Sequence, residues 1–387
     1  MSLSRDGGRG IQAAQPRSRL GVQASTSRTI TLGGRELLFF GGCGYLALAH
    51  HPRVVAALVS GAERHGVSSG ASRETTGNVD EHEALEREIA AALELESALL
   101  APEGACANLA LAESLTASRP GATEGAFPLA LVDREAHPTV LHAARLGSAR
   151  VEELADEPSD RARIAAVGGR VAIWTDGVFP SSGRAANLRH LLSLLEPGRG
   201  LLIVDDCHGL GVLGRRGRGS LEAAGISDPR IVVTGTLSKA LGTYGGFIAG
   251  GAERVAHVRA SSEIYAGTTP LAPPLAAAAR TALGILVADT QRFAAYQNAL
   301  REFRRQLRAL SLPMHALEFP VVAFELDPPE RMTRLRDFAL DRGVYLPLIH
   351  YSGGGPNGFF RIVWNAAHTA QDLERLTDAI RGGLQRP

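Results

Sequence analysis

The chain has 387 residues, 45% of them hydrophobic and 21% charged, with a formal net charge of +1. These values describe a globular protein large enough for more than one domain, and they give no electrostatic basis for binding nucleic acid or an anionic membrane. The apolar runs are too short and too interrupted to span a bilayer. The three cysteines, Cys43, Cys106 and Cys207, lack paired spacing, which argues against a disulfide framework or zinc site and for a reducing cytoplasm.

Residues 1–28 are rich in Arg, Gln, Ser and Gly without the apolar stretch of a secretion signal, and they read as a mobile arm. Beyond it, a helix is predicted over 80–95, a strand at 98–101, a strand at 129–133 and a helix over 137–147. Further strands follow at 170–176, 200–206, 230–235 and 245–250. Short aliphatic runs alternating with amphipathic stretches define an α/β chain with a mainly parallel central sheet flanked by helices. One long helix is predicted over 273–310, leading into a smaller α+β domain with strands at 320–326 and 359–364 and a closing helix over 369–384. The expected division is an N-terminal segment 1–45, a large domain 46–285 and a small domain 286–387.

The basic residues carry the first chemical signal. Lysine and arginine together number 41, yet Lys239, in GTLSKALG, is the sole lysine. A guanidinium stays protonated, whereas an amine can lose its proton and condense with a carbonyl. The apolar run LLIVDDCHG ends in Asp205, Asp206, Cys207 and His208. A buried carboxylate there needs a partner, and a pyridinium N–H would serve Asp205. Capping of a following helix fits Asp206 as well as it fits Asp205. His208 could meet a phenolate oxygen on the same ring, although a lone histidine is more often structural. Thr236 and Ser238 supply hydroxyls suited to a phosphate, and glycines at 235, 242, 245 and 246 allow backbone to approach a ligand.

VDDCHGLGVLGRRGRGS followed by TGTLSKALGTYGGFIAG resembles the α-oxoamine synthases, and the likeness extends from residues 33–40 to residues 361–376. It implies a fold-type-I transferase dependent on pyridoxal 5′-phosphate. Such an enzyme joins a small amino acid to an acyl-CoA or acyl-carrier thioester with loss of carbon dioxide, as a homodimer with shared active sites. By the same resemblance Lys239 binds the cofactor covalently, Asp205 pairs with its ring nitrogen, His208 meets its ring oxygen and His137 stacks on the ring. Gly104, Ala105 and Thr236 would hold the phosphate, with Thr269 reaching it from the other subunit. Arg361 would grip the substrate carboxylate.

Several residues depart from the family pattern. Cys43 stands where an asparagine helps hold the substrate carboxylate, Glu103 replaces a small polar residue, and Ala105 replaces an aromatic one. Pro180 and Ser182 replace a serine and an aspartate, and 345–358 lacks the usual proline- and threonine-containing segment. A conserved cofactor core with an altered rim leaves room for an aminotransferase or another enzyme that does not use acyl-CoA. A degenerate partner subunit would be expected to lose the lysine, which is present.

Overall fold

The computed structural model describes residues 21–116, 127–168, 170–312, 314, 317–349 and 358–385. Seven strands form the central sheet in the order Ser97–Ala101, Gly246–Gly250, Ile231–Thr236, Gly200–Asp205, Val171–Asp176, Phe127–Val132 and Ser148–Glu153. Gly246–Gly250 runs antiparallel to both neighbours, and the other pairings are parallel. Every residue of Val171–Asp176, Gly200–Asp205 and Ile231–Thr236 is buried. Their sequences are continuous apolar runs because both faces of the sheet are covered. Leu202 and Val204 point into one core with Leu85 and Ala279, while Leu201 and Ile203 point into the other with Leu111 and Ala143. The period-two alternation thus divides each strand between two helical layers. Ser148–Glu153, absent from the predicted elements, is a half-exposed edge strand with charged residues, a composition that discourages further pairing.

Two expectations are corrected. The helix predicted over 273–310 is two helices, Pro273–Ala288 and Thr290–Arg308. Asp289 leaves helical geometry between them, and its carboxylate accepts from Arg292 N at 2.9 Å, capping the second helix. The predicted mobile arm is ordered from residue 22. Val22–Ser25 pairs with Thr29–Leu32, which pairs with Arg35–Phe39, and Val344–Tyr345 joins the far edge of this sheet. Residues 1–20 of the arm, and 350–357 of the departing C-terminal segment, lie outside the described residues.

In the C-terminal part, Phe359–Val363 lies between Val321–Phe324 and Leu348–Ile349, with the helices Glu330–Asp341 and Ala370–Leu384 packed together beside it. Among the described residues, no helix is long and apolar enough to cross a membrane. The carboxyl ends of the parallel strands share one edge of the central sheet. The segments leaving that edge carry Gly104, His137, Asp176, Asp205 and Lys239, and such an edge is where open α/β sheets bind ligands.

Candidate active site

A cavity of about 250 Å³ opens at this edge, and Lys239, Asp205, His208, His137, Gly104, Ala105 and Thr236 all line it. Residues separated by more than a hundred positions meet there because their strands are neighbours in the sheet. A larger cavity, about 490 Å³, lies elsewhere against Leu283, Leu286 and Phe293. It contains none of these groups.

Asp205 ends its buried strand and is held by two donors. Its Oδ1 accepts from Cys207 N at 3.0 Å, and its Oδ2 accepts from Asn108 Nδ2 at 2.8 Å. Asn108 Oδ1 in turn accepts from Thr234 Oγ1 at 2.6 Å, so a buried relay fixes the amide's orientation. The capping role weighed for both aspartates falls to Asp206, whose Oδ2 accepts from Ser220 N at the start of the Ser220–Ala224 helix.

Asp176, not singled out in the sequence, is the register partner of Asp205 on the adjacent strand and lines the same cavity. Burial, and then the charge of Asp205, push its carboxyl well above the usual range. It accepts from His137 N at 3.2 Å. His137 caps the Pro138–Gly147 helix through Nδ1, which accepts from Thr139 N at 3.3 Å. Partial desolvation holds its imidazole below the ordinary value.

His208 is oriented by Tyr45, another residue the sequence reading passed over. Burial keeps the Tyr45 hydroxyl protonated well above its normal range, and that hydroxyl lies 2.7 Å from His208 Nδ1. Burial, and then the charges of Lys239, Arg361 and His137, hold His208 well below its ordinary value. A neutral imidazole beside a protonated phenol accepts at Nδ1 and carries its proton on Nε2.

Lys239 sits half-buried in a turn closed by Gly242 N donating to Lys239 O at 3.0 Å. The turn requires glycine at 242, where φ is +65° and a Cβ would lie 2.4 Å from Ala49 N. Lys239 makes no hydrogen bond or ion pair within the described residues. Thr236 Oγ1 donates to Gly245 O at 3.0 Å and accepts from Ser238 N at 3.2 Å. Across the cavity the Gly104–Ser114 helix presents its N-terminus, with Glu103 at the capping position making no side-chain cap.

Arg361 and Cys43 meet beside this group. Arg361 donates to Gly42 O at 3.1 Å and to Cys43 Sγ at 3.5 Å. Burial raises the Cys43 thiol, but Arg361 and Lys239 outweigh it and bring it below the ordinary value. Burial and Asp205 push the Cys207 thiol well up. Thr269 is exposed and does not line the cavity of its own chain.

A family model for aminotransferase class I and II matches residues 42–380. The 8-amino-7-oxononanoate synthase of Thioalkalivibrio sulfidiphilus is 33% identical over 371 residues, covering 94% of this chain and 92% of that protein. The enzyme of the same name from Alkalilimnicola ehrlichii is 34% identical over 360 residues, covering 91% and 89%. Among solved structures, a serine palmitoyltransferase from S. paucimobilis with bound PLP has a TM-score of 0.85 at 20% identity, covering 94% of this chain and 92% of that one. An 8-amino-7-oxononanoate synthase from Francisella tularensis has a TM-score of 0.74 at 22% identity, covering 90% and 98%. These structural likenesses show the fold. The chain belongs to the aminotransferase class I and II family and, within it, to the α-oxoamine synthases.

Proposed function

We propose that this chain is a pyridoxal-phosphate-dependent acyltransferase. It would condense a small amino acid with an acyl thioester, releasing carbon dioxide and the thiol, as the 8-amino-7-oxononanoate synthases among its relatives do. The observation that carries this reading is the placement of the sole lysine, without an ion pair, in a cavity whose wall holds the hydrogen-bonded carboxylate of Asp205.

The donor set fits the cofactor. Asp205 is restrained by donors on both oxygens and suits a ring N–H. The N–H groups at Gly104 and Ala105, with the hydroxyls of Thr236 and Ser238, suit a phosphate. Pyridoxal phosphate, when bound, supplies a carbonyl carbon for an amine and an electron-withdrawing ring that stabilises charge at the substrate Cα.

Lys239 Nζ would hold the carbonyl carbon and, once the amino acid has replaced it, would take the Cα proton. Asp205 would keep the ring nitrogen protonated, and His137 would pack on the ring. His208, with Nδ1 occupied by Tyr45, has Nε2–H to donate to a ring or carbonyl oxygen. Arg361 would take the substrate carboxylate in place of its Cys43 contact. Thr269 would serve the cofactor of a second copy in a homodimer.

Thiol release tests the reading. The enzyme loaded with pyridoxal phosphate is given a panel of acyl-CoAs with and without alanine, glycine and serine. Amino-acid-dependent release that is absent in Lys239→Ala supports the condensation. Keto-acid-dependent turnover without thiol release assigns an aminotransferase instead, and release that persists in Lys239→Ala removes the lysine from its role.

A further inference from the structure

Asp206 follows Asp205 in the chain but does not line the cavity, and its side chain is buried. Three glycines close around its carboxyl. A Cβ would lie 2.5 Å from Oδ1 at Gly177, 1.9 Å from Oδ1 at Gly209, and 1.9 Å from Oδ2 at Gly219. No side chain larger than hydrogen fits at these points without displacing the carboxyl. Three segments therefore converge on one acidic group: the turn after Asp176, the turn carrying His208, and the approach to the Ser220–Ala224 helix.

The hydrogen bonding is incomplete in an informative way. Oδ2 accepts from Ser220 N at 2.9 Å. Oδ1 and Ser220 Oγ are both buried without a partner, yet a Cβ on Gly177 would lie 2.5 Å from the first and 2.4 Å from the second. Two orphans facing the same point can satisfy one another if the carboxyl carries a proton to donate and the hydroxyl accepts. The backbone of Asp206 also ties this group to the site. Its carbonyl accepts from Gly209 N at 3.0 Å and Leu210 N at 3.1 Å, closing the turn around His208, while its N–H donates to Thr234 O at 2.8 Å.

We propose that Asp206 is a positioning residue acting as a neutral acid, whose carboxyl proton fastens the His208 turn to Ser220 and whose loss loosens that turn. Only its effect on turnover rests on the role proposed for His208. Burial pushes the carboxyl up to about 7, opposed by the Ser220 N–H and reinforced by the charge of Asp205. Of the other titratable groups around it, Asp176 precedes Gly177 on the neighbouring strand. Glu222 on the helix accepts from the backbone N–H groups of Arg216 and Arg218, and His208 in the turn is held neutral by burial.

The sign follows from linkage. Between its ordinary value of 3.8 and about 7, folded Asp206 keeps a proton that the unfolded chain has lost. Stability therefore falls as pH rises through that window and levels off above it. The window of about three units corresponds to roughly a thousandfold change in the folding equilibrium.

The test is denaturant unfolding of the cofactor-loaded enzyme from pH 4 to 9, with kcat measured from pH 6 to 9. Wild type should lose stability relative to Asp206→Asn as pH rises, and its kcat should fall above about pH 7. Asp206→Asn, an uncharged isostere, should keep kcat at pH 6 and lack that limb. Ser220→Ala removes the acceptor and should move the wild-type limb to lower pH, which keeps the proposal testable if Asp206→Asn does not fold. Equal pH slopes in wild type and Asp206→Asn overturn it, as does an upward shift in Ser220→Ala, which would mean that the hydroxyl donates to an ionised carboxylate.

Discussion

Replacing Asn108 by alanine breaks the relay behind Asp205 at its middle member. Asn108 and Thr234 are fully buried, so no water is at hand to replace what is lost. The amide's 2.8 Å bond to Asp205 Oδ2 is a hydrogen bond to a charged group, worth about 1.5–3 kcal/mol. Its loss also orphans the Thr234 hydroxyl, which now donates to Asn108 Oδ1 at 2.6 Å, at a cost of about 1–3 kcal/mol. Asn108→Ala should therefore unfold about 3–5 kcal/mol more easily. Because Asp205 then lacks one of its two donors, pyridoxal phosphate should bind on the order of tenfold to a hundredfold more weakly. Adding Thr234→Val removes the orphan, so the double variant should be more stable than the sum of the two single losses predicts. Urea unfolding of the apo and loaded protein measures stability, and absorbance titration measures cofactor affinity. Strict additivity of the two substitutions together with unchanged cofactor affinity would refute the relay.

Tyr45→Phe leaves His208 Nδ1 without its donor, so kcat should fall by about twofold to tenfold with KM little changed, as steady-state kinetics on the loaded enzyme would show. An unchanged kcat would mean that the phenol does not orient the imidazole. Glu103→Gln removes an anion from the cavity wall beside the Gly104–Ser114 helix N-terminus and should tighten pyridoxal phosphate several-fold. The same change gives up a favourable carboxylate–dipole contact, so the apo protein should melt slightly lower. Equilibrium titration and thermal melts separate the two effects, and weaker cofactor binding in this variant would count against the phosphate site.

The groups that were legible share one grammar: a polar residue immediately after an apolar strand. Asp205 and Thr236 follow it directly, and Lys239 added the signal of being unique in composition. Asp176 obeys the same rule, at the end of RVAIWTD, and could have been found by applying it evenly. Asn108 could not, since its partner lies 97 residues away and nothing local distinguishes it from a polar residue on an apolar helix. Tyr45 was similarly hidden, because its value depends on His208 being 163 residues further along. Strand direction is also invisible locally: GGFIAG reads as an apolar strand whichever way it runs, and its antiparallel pairing is set by the connections around it. The break at Asp289 did carry a local signal, an Asp-Thr pair suited to starting a helix. Continuous amphipathic spacing on both sides masked it.

The half-buried amine of Lys239 makes the molecule its own reporter. Apart from the N-terminal amine, reagents that acylate or reductively alkylate amines have one side chain to find. A protease that cuts only after unmodified lysine should divide the unfolded chain into 1–239 and 240–387, and should leave it whole wherever that nitrogen has been capped. The intact fraction on a denaturing gel then equals the fraction of active sites derivatised, so occupancy of the reactive centre can be counted without following any turnover.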